Sequence, residues 1–92
     1  RNQLIHKETI SIGTLDANLV HPREVFEPAL KHTAAQIVAT HNHPSGNPEP
    51  SHQDIVLTKR LVEAGRILGV EVMDHIIISK VGYFSFKDKL LL

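Results

Sequence analysis

Apolar and polar positions change period several times along this chain. Residues 3–12, Q-L-I-H-K-E-T-I-S-I, are enriched in β-branched side chains, with Ile10 and Ile12 one alternation apart. They predict a strand, which Gly13 breaks. Residues 14–20 suggest a second short extended piece that turns at Asp16–Asn18. From Pro22 the period lengthens: Val25, Phe26, Ala29 and Leu30 form a helical stripe. Pro22 suits the first helical position and Glu24 the first turn, so a helix is predicted over 22–32. Pro28 is awkward there, because it removes a backbone donor.

Residues 34–40, A-A-Q-I-V-A-T, are a nearly continuous apolar run and predict a central strand covered on both faces. Three prolines and Gly46 within 44–50 then force a stiff loop. Ser51 opens a long helix to Leu68, with Gly69 as its stop. Its predicted buried face holds Ile55, Leu57, Leu61, Val62, Ala64, Ile67 and Leu68, with Lys59, Arg60, Glu63 and Arg66 opposite. Residues 70–79 read as another buried strand, 80–82 as its turn and 83–86 as a returning hairpin strand. The tail suggests a helical turn. The order β-(β)-α-β-loop-α-β-β predicts an α/β domain, a mixed sheet flanked by helices, occupying residues 1–92 as one unit.

Composition narrows the function classes. Ten basic and ten acidic residues cancel, so no basic stripe supports a domain living on phosphate electrostatics. Nucleic acid stays an optional partner without support here. The absence of cysteine removes disulfides, thiolate metal sites and a cysteine nucleophile, so any metal must sit on nitrogen and oxygen. No run approaches the ~18 apolar residues of a membrane span, and no leader is visible. A cytoplasmic domain with no membrane contact is expected. The chain starts at Arg1 inside a predicted strand, which suggests the C-terminal part of a longer protein. An unpaired strand edge there would also favour self-association.

The chemistry concentrates in T-H-N-H-P-S-G-N-P-E-P-S-H-Q-D, residues 40–54. Side chains alternate along a strand, so His41 and His43 project to one side and Asn42 to the other. Asp54 lies in the first turn of the next helix, across a stiff loop. Two imidazoles and a carboxylate are a catalytic zinc set that leaves a fourth position for water, and the ion brings that water's pKa toward ~7. Ser51-x-x-Asp54 has a plainer reading as a capping box, although glutamate is the usual partner. His75 follows Asp74 on a strand predicted to be buried beside the site. It is either a hydrogen-bonded core histidine or a group that orients a ligand. His6, His21, His32 and His52 read as surface or capping residues, with His52 nearest the site mouth.

His41-Asn42-His43, seven residues, Ser51, two residues and Asp54 fit the H-x-H-x(7)-S-x(2)-D motif of the JAMM (MPN+/JAB) metalloproteases without a gap. With H-P-R-E-V-F upstream and D-H-I-I-I downstream, the sequence resembles the bacterial RadC family within that group, over essentially its whole length. The resemblance implies a JAMM/MPN-like, cytidine deaminase-like fold. It implies one zinc per chain on His41, His43 and Asp54, and Ser51 as a catalytic residue that stabilises the tetrahedral intermediate. The reaction implied is hydrolysis of a peptide or isopeptide bond in a protein or peptide substrate. The alternative is a non-catalytic metal-binding module associated with DNA repair, a label RadC-like proteins have long carried. The family's general base is a glutamate, expected upstream of Arg1. Glu8 and Glu24 are the nearest candidates here, and neither matches the motif.

Overall fold

A computed structural model describes residues 20–43 and 46–92 in full and residues 7–12 by their backbone. Along it run β1 (Lys7–Ile12), α1 (Pro22–Lys31), β2 (Gln36–Asn42), α2 (His52–Leu68), β3 (Glu71–Ser79) and β4 (Gly82–Ser85). Residues 3–6, Gly13 and the predicted extended piece up to residue 19 lie outside the described residues.

β1, β2 and β3 are parallel neighbours and β4 returns antiparallel to β3, giving the sheet order β1-β2-β3-β4. This is the mixed α/β sheet the alternation predicts. Both helical crossovers step the same way across the sheet, so right-handed connections put α1 and α2 on one face. The main core follows. Val25, Phe26 and Ala29 of α1 meet Leu57 and Leu61 of α2 above Ile37, Ala39 and Val72 of the strands. Burial of each large side chain contributes roughly 1.5–3 kcal/mol. β2 is central, but only one of its faces is fully covered: Ile37, Ala39 and His41 are buried, while Val38 and Thr40 are half-buried. The continuous apolar run thus reflects a middle strand and not two equally buried faces.

α1 starts at Pro22, and the Glu24 carboxylate accepts the His21 N–H at 3.4 Å. α2 starts on a reciprocal cap between Ser51 and Asp54 and stops at Gly69, whose φ of 75° is left-handed and suits glycine. Its buried stripe is narrower than the apolar pattern predicts. Asp54, Leu57, Thr58, Leu61 and Gly65 face inward, whereas Ile67 and Leu68 are exposed. Ile67, two residues past Gly65, lies on the far side of the helix from that stripe, and Leu68 is in its last turn. A Cβ at Gly65 would lie 2.3 Å from the Val70 carbonyl oxygen and 3.3 Å from the Phe26 ring. At Gly65 itself, backbone and ring fill the face.

β3 carries a one-residue phase slip. Ile37 pairs with Val72 but Val38 pairs with Asp74, so Met73 is an extra residue in the ladder. Strict alternation from Val72 would send Asp74 and Ile76 to the helices. With the bulge, His75 and Ile77 join Val72 on the covered face instead. Beyond β4, Phe86 donates its N–H to the His75 carbonyl at 3.0 Å and packs with Ile77, Phe84 and Ile55 in a second small core. Asp74 fixes that turn: its carboxylate accepts from Ser85 Oγ at 2.6 Å and from Lys87 N–H at 2.9 Å.

Candidate metal centre

The β2 ladder runs two residues beyond its predicted end. His41 pairs with Ile12 on one side and Ile77 on the other, and His43 N–H donates to the Ile78 carbonyl at 2.9 Å. Polar side chains are no obstacle here, because the backbone is paired on both sides and alternation decides where each side chain goes. His41 is buried, Asn42 is exposed and His43 is again partly covered, with 16% of its side chain accessible.

The loop then aims His43. Asn47 Oδ1 accepts the Glu49 N–H at 3.0 Å, a local turn that presents the Asn47 carbonyl to His43 Nδ1 at 3.0 Å. A carbonyl only accepts, so Nδ1 carries the hydrogen and Nε2 is the atom turned to the site. Ser79 Oγ donates to the Gly46 carbonyl at 3.0 Å and ties the loop to the β3–β4 turn.

Asp54 arrives from the other side, at the third position of α2, where the helix dipole favours an anion. Its side chain is 2% exposed, with Oδ2 2.9 Å from His43 Nε2 and Oδ1 3.5 Å from His41 Nδ1. Oδ2 also accepts the Ser51 N–H at 2.8 Å, while Ser51 Oγ accepts the Asp54 N–H at 3.1 Å. The capping box is therefore present with aspartate in the glutamate place. It coexists with the cluster, because one cap bond uses the backbone and leaves carboxylate lone pairs for other partners.

One nitrogen of each histidine and one oxygen of Asp54 lie within 4.8 Å of one another, a group that could hold a metal ion. His41 Nδ1 is buried and has no hydrogen-bond partner. Burial is the largest influence on His41 and lowers its pKa; the Asp54 charge raises it and the His43 charge lowers it further. Burial pushes the Asp54 carboxyl up. Hydrogen bonds from Ser51, the charge of His41 and the bond to His43 together outweigh this, and its pKa lies below the ordinary 3.8. The result is a buried carboxylate beside a buried imidazole whose Nδ1 has no hydrogen-bond partner. No arginine or lysine pairs with Asp54 among the described residues. A buried anion left so calls for a cation, and nitrogen–nitrogen–oxygen donors suit zinc.

His75 does not join this group. It is fully buried, with Nδ1 2.6 Å from Thr58 Oγ1, and its ring stacks on Phe86 at 4.8 Å and on His41 at 5.7 Å. Burial first, and the His41 charge second, push its pKa down to about 4. The folded protein therefore keeps His75 neutral while the unfolded chain, with a pKa of 6.5, takes up a proton. Stability is fully present above pH 6.5 and is lost as pH falls toward 4, on the order of 3 kcal/mol from this group at ~1.36 kcal/mol per unit. Urea midpoints in chelator should fall steadily between pH 7 and pH 4.5; a flat profile would contradict a neutral buried His75.

The remaining candidates lie elsewhere. The Glu8 side chain is outside the described residues. Glu24 is exposed and committed to the α1 cap, as are His21 and His32 to the ends of that helix; His52 is exposed at the start of α2. His6 is not among the described residues. Thr58 escaped the sequence reading, although a threonine four residues after Asp54, in line with Leu57 and Leu61, is a signal that it faces inward. Among the described residues no helix is long and apolar enough to cross a membrane.

Comparison with known proteins bears on the same residues. The profile of the RadC-like JAB domain matches residues 1–91. UPF0758 proteins of Bacillus cereus (strain AH187), Bacillus anthracis (strain A0248) and Bacillus thuringiensis subsp. konkukian (strain 97-27) are each 57% identical over 89 residues. Those alignments cover 97% of this chain and 40% of each relative, so the chain spans about two-fifths of their length. With a matching profile across nearly every residue and the H-x-H…S-x-x-D elements gathered at one strand end, the chain belongs to the family of RadC-like JAB domains.

Proposed function

We propose that the chain carries the metal centre of a zinc-dependent hydrolase that cleaves a peptide or isopeptide bond. The observation behind this reading is the buried, unpartnered Nδ1 of His41 beside the buried Asp54 carboxylate. His41, His43 and Asp54 would hold the ion, one per chain. Zinc bound there supplies Lewis acidity and a water nucleophile at neutral pH.

The chain's own groups have separate tasks. The Asn47 carbonyl fixes the His43 tautomer, and the Ser51 backbone fixes one Asp54 oxygen. Because Ser51 Oγ accepts from Asp54 N–H, its own hydroxyl hydrogen stays a donor, suited to a developing oxyanion at the mouth of the site. All five described glutamates are exposed: Glu24, Glu27, Glu49, Glu63 and Glu71. None is assigned as the base.

The test is a peptidase and isopeptidase assay on the full-length protein purified without chelator, with zinc measured by elemental analysis. About one zinc per chain and chelator-sensitive cleavage are expected; no zinc would sink the reading. Ser51→Ala should lower kcat by about a hundredfold. It should leave the zinc content intact and cost ~1 kcal/mol of stability as a lost cap. Equal loss of zinc and activity would assign Ser51 to the scaffold alone.

A further inference from the structure

We infer that His75 and Thr58 are positioning residues that hold the two buried donors, His41 and Asp54, in place for the ion. This inference rests on the metal-site reading above.

Three contacts converge on the pair. Thr58 Oγ1 donates to the Asp54 backbone carbonyl at 2.9 Å, one helical turn back. The hydroxyl has a single hydrogen and it is spent there, so the 2.6 Å contact with His75 must run the other way, from Nδ1–H to Oγ1. That bond fixes the His75 tautomer and the azimuth of its ring. The ring then lies nearly parallel to His41, 5.7 Å between centroids at 11°, and is backed by Phe86 at 4.8 Å and 6°. Phe86 is in turn held by its N–H on the His75 carbonyl and by the turn that Asp74 fixes.

The pair therefore touches both candidate ligands through different physics. It bears on Asp54 through a hydrogen bond in the first turn of α2. It bears on His41 through a stack that restricts ring rotation. Neither residue would bind the ion: the nitrogens of His75 fall outside the group of converging donors. A plain core role would need only volume, and leucine or phenylalanine would fill the place. The Nδ1–Oγ1–carbonyl chain is a specific polar device in the buried interior, where such bonds fix geometry.

Zinc affinity is the readout, measured by competition with a chromophoric chelator and by the visible spectrum of the cobalt(II)-substituted protein. Thr58→Val and His75→Phe keep volume, and the latter keeps the stack, but both break the chain. Each should weaken zinc binding about 10–100-fold, as outer partners of metal ligands do, and should shift the cobalt bands. The double variant should be no worse than either single one, and Thr58→Ser should restore wild-type values. Circular dichroism identifies variants that fold; should Thr58→Val fail to, His75→Phe carries the test. Wild-type affinity and unchanged cobalt spectra in the folded variants would overturn the inference alone. A wild-type chain that binds no zinc would overturn it together with the metal-site reading.

Discussion

Replacing Asp54 or His41 by alanine is expected to abolish tight zinc binding. Asp54 is the only anion in the group, and without it two imidazoles would have to hold a dication. The loss should exceed the ~10–100-fold that supporting residues command. Asp54→Ala also removes a helix cap, so Asp54→Asn is the cleaner variant. The amide oxygen can still accept the Ser51 N–H at the place where Oδ2 now does, while the charge is gone. His41→Ala removes the buried nitrogen that lacks a partner and leaves the cap untouched. Zinc per chain after dialysis separates the cases. Unchanged zinc content in Asp54→Asn and His41→Ala would refute the assignment of the ligands.

The second large effect lies at the far end of α2. Gly65→Ala should lower stability on the order of 3 kcal/mol, the upper part of the usual range for forcing volume into a packed interior. The new Cβ would sit 2.3 Å from the Val70 carbonyl oxygen, a backbone atom that cannot swing aside as a side chain would. Val70 N–H also donates to the Gly65 carbonyl at 2.8 Å, so moving one strand of the contact breaks the other. Relief would require α2 to lift from Phe26, which is 1% exposed and anchors α1 to the core. A melting temperature lowered by roughly 12–20 °C is expected for a domain of this size. A shift of a degree or two would mean the helix end relaxes freely, contrary to the packing described.

Much of this was legible in the sequence, for physical reasons. His41 and His43 alternate with Asn42 whatever the tertiary fold, so their convergence followed from strand geometry once a strand was recognised. Gly69 stops α2 because only a left-handed residue closes a helix that way. Other features were hidden. The apolar face of α2 was overcounted at Ile67, which the helical period puts on the far side from Leu61 and Gly65, and at Leu68, which is exposed in the last turn. The end of β2 was set too early at Thr40, since an apolar run reports burial and not hydrogen bonding. His75 could be read two ways, and the Met73 bulge is what turns it toward the helices. A phase slip of one residue leaves no mark where apolar side chains follow one another, as at Ile76, Ile77 and Ile78. Thr58 depends on that slip too, for without it His75 would face away.

The compactness in sequence of the candidate ligands, all between residues 41 and 54, has a consequence for how the chain and an ion find each other. Bridging so short an interval costs little chain entropy; a cross-link of that span removes only about 3 kcal/mol of loop freedom from an unfolded chain. The denatured chain can therefore chelate as well, through the same two imidazoles and carboxylate. Zinc bound at the proposed centre would then raise the melting temperature less than its affinity for the native state implies, because ligand linkage counts only the difference between the two states. What the unfolded segment lacks is the distant half of the cradle, contributed by β3 and the middle of α2. The excess of native over denatured affinity measures that half together with the prior ordering of the 41–54 segment.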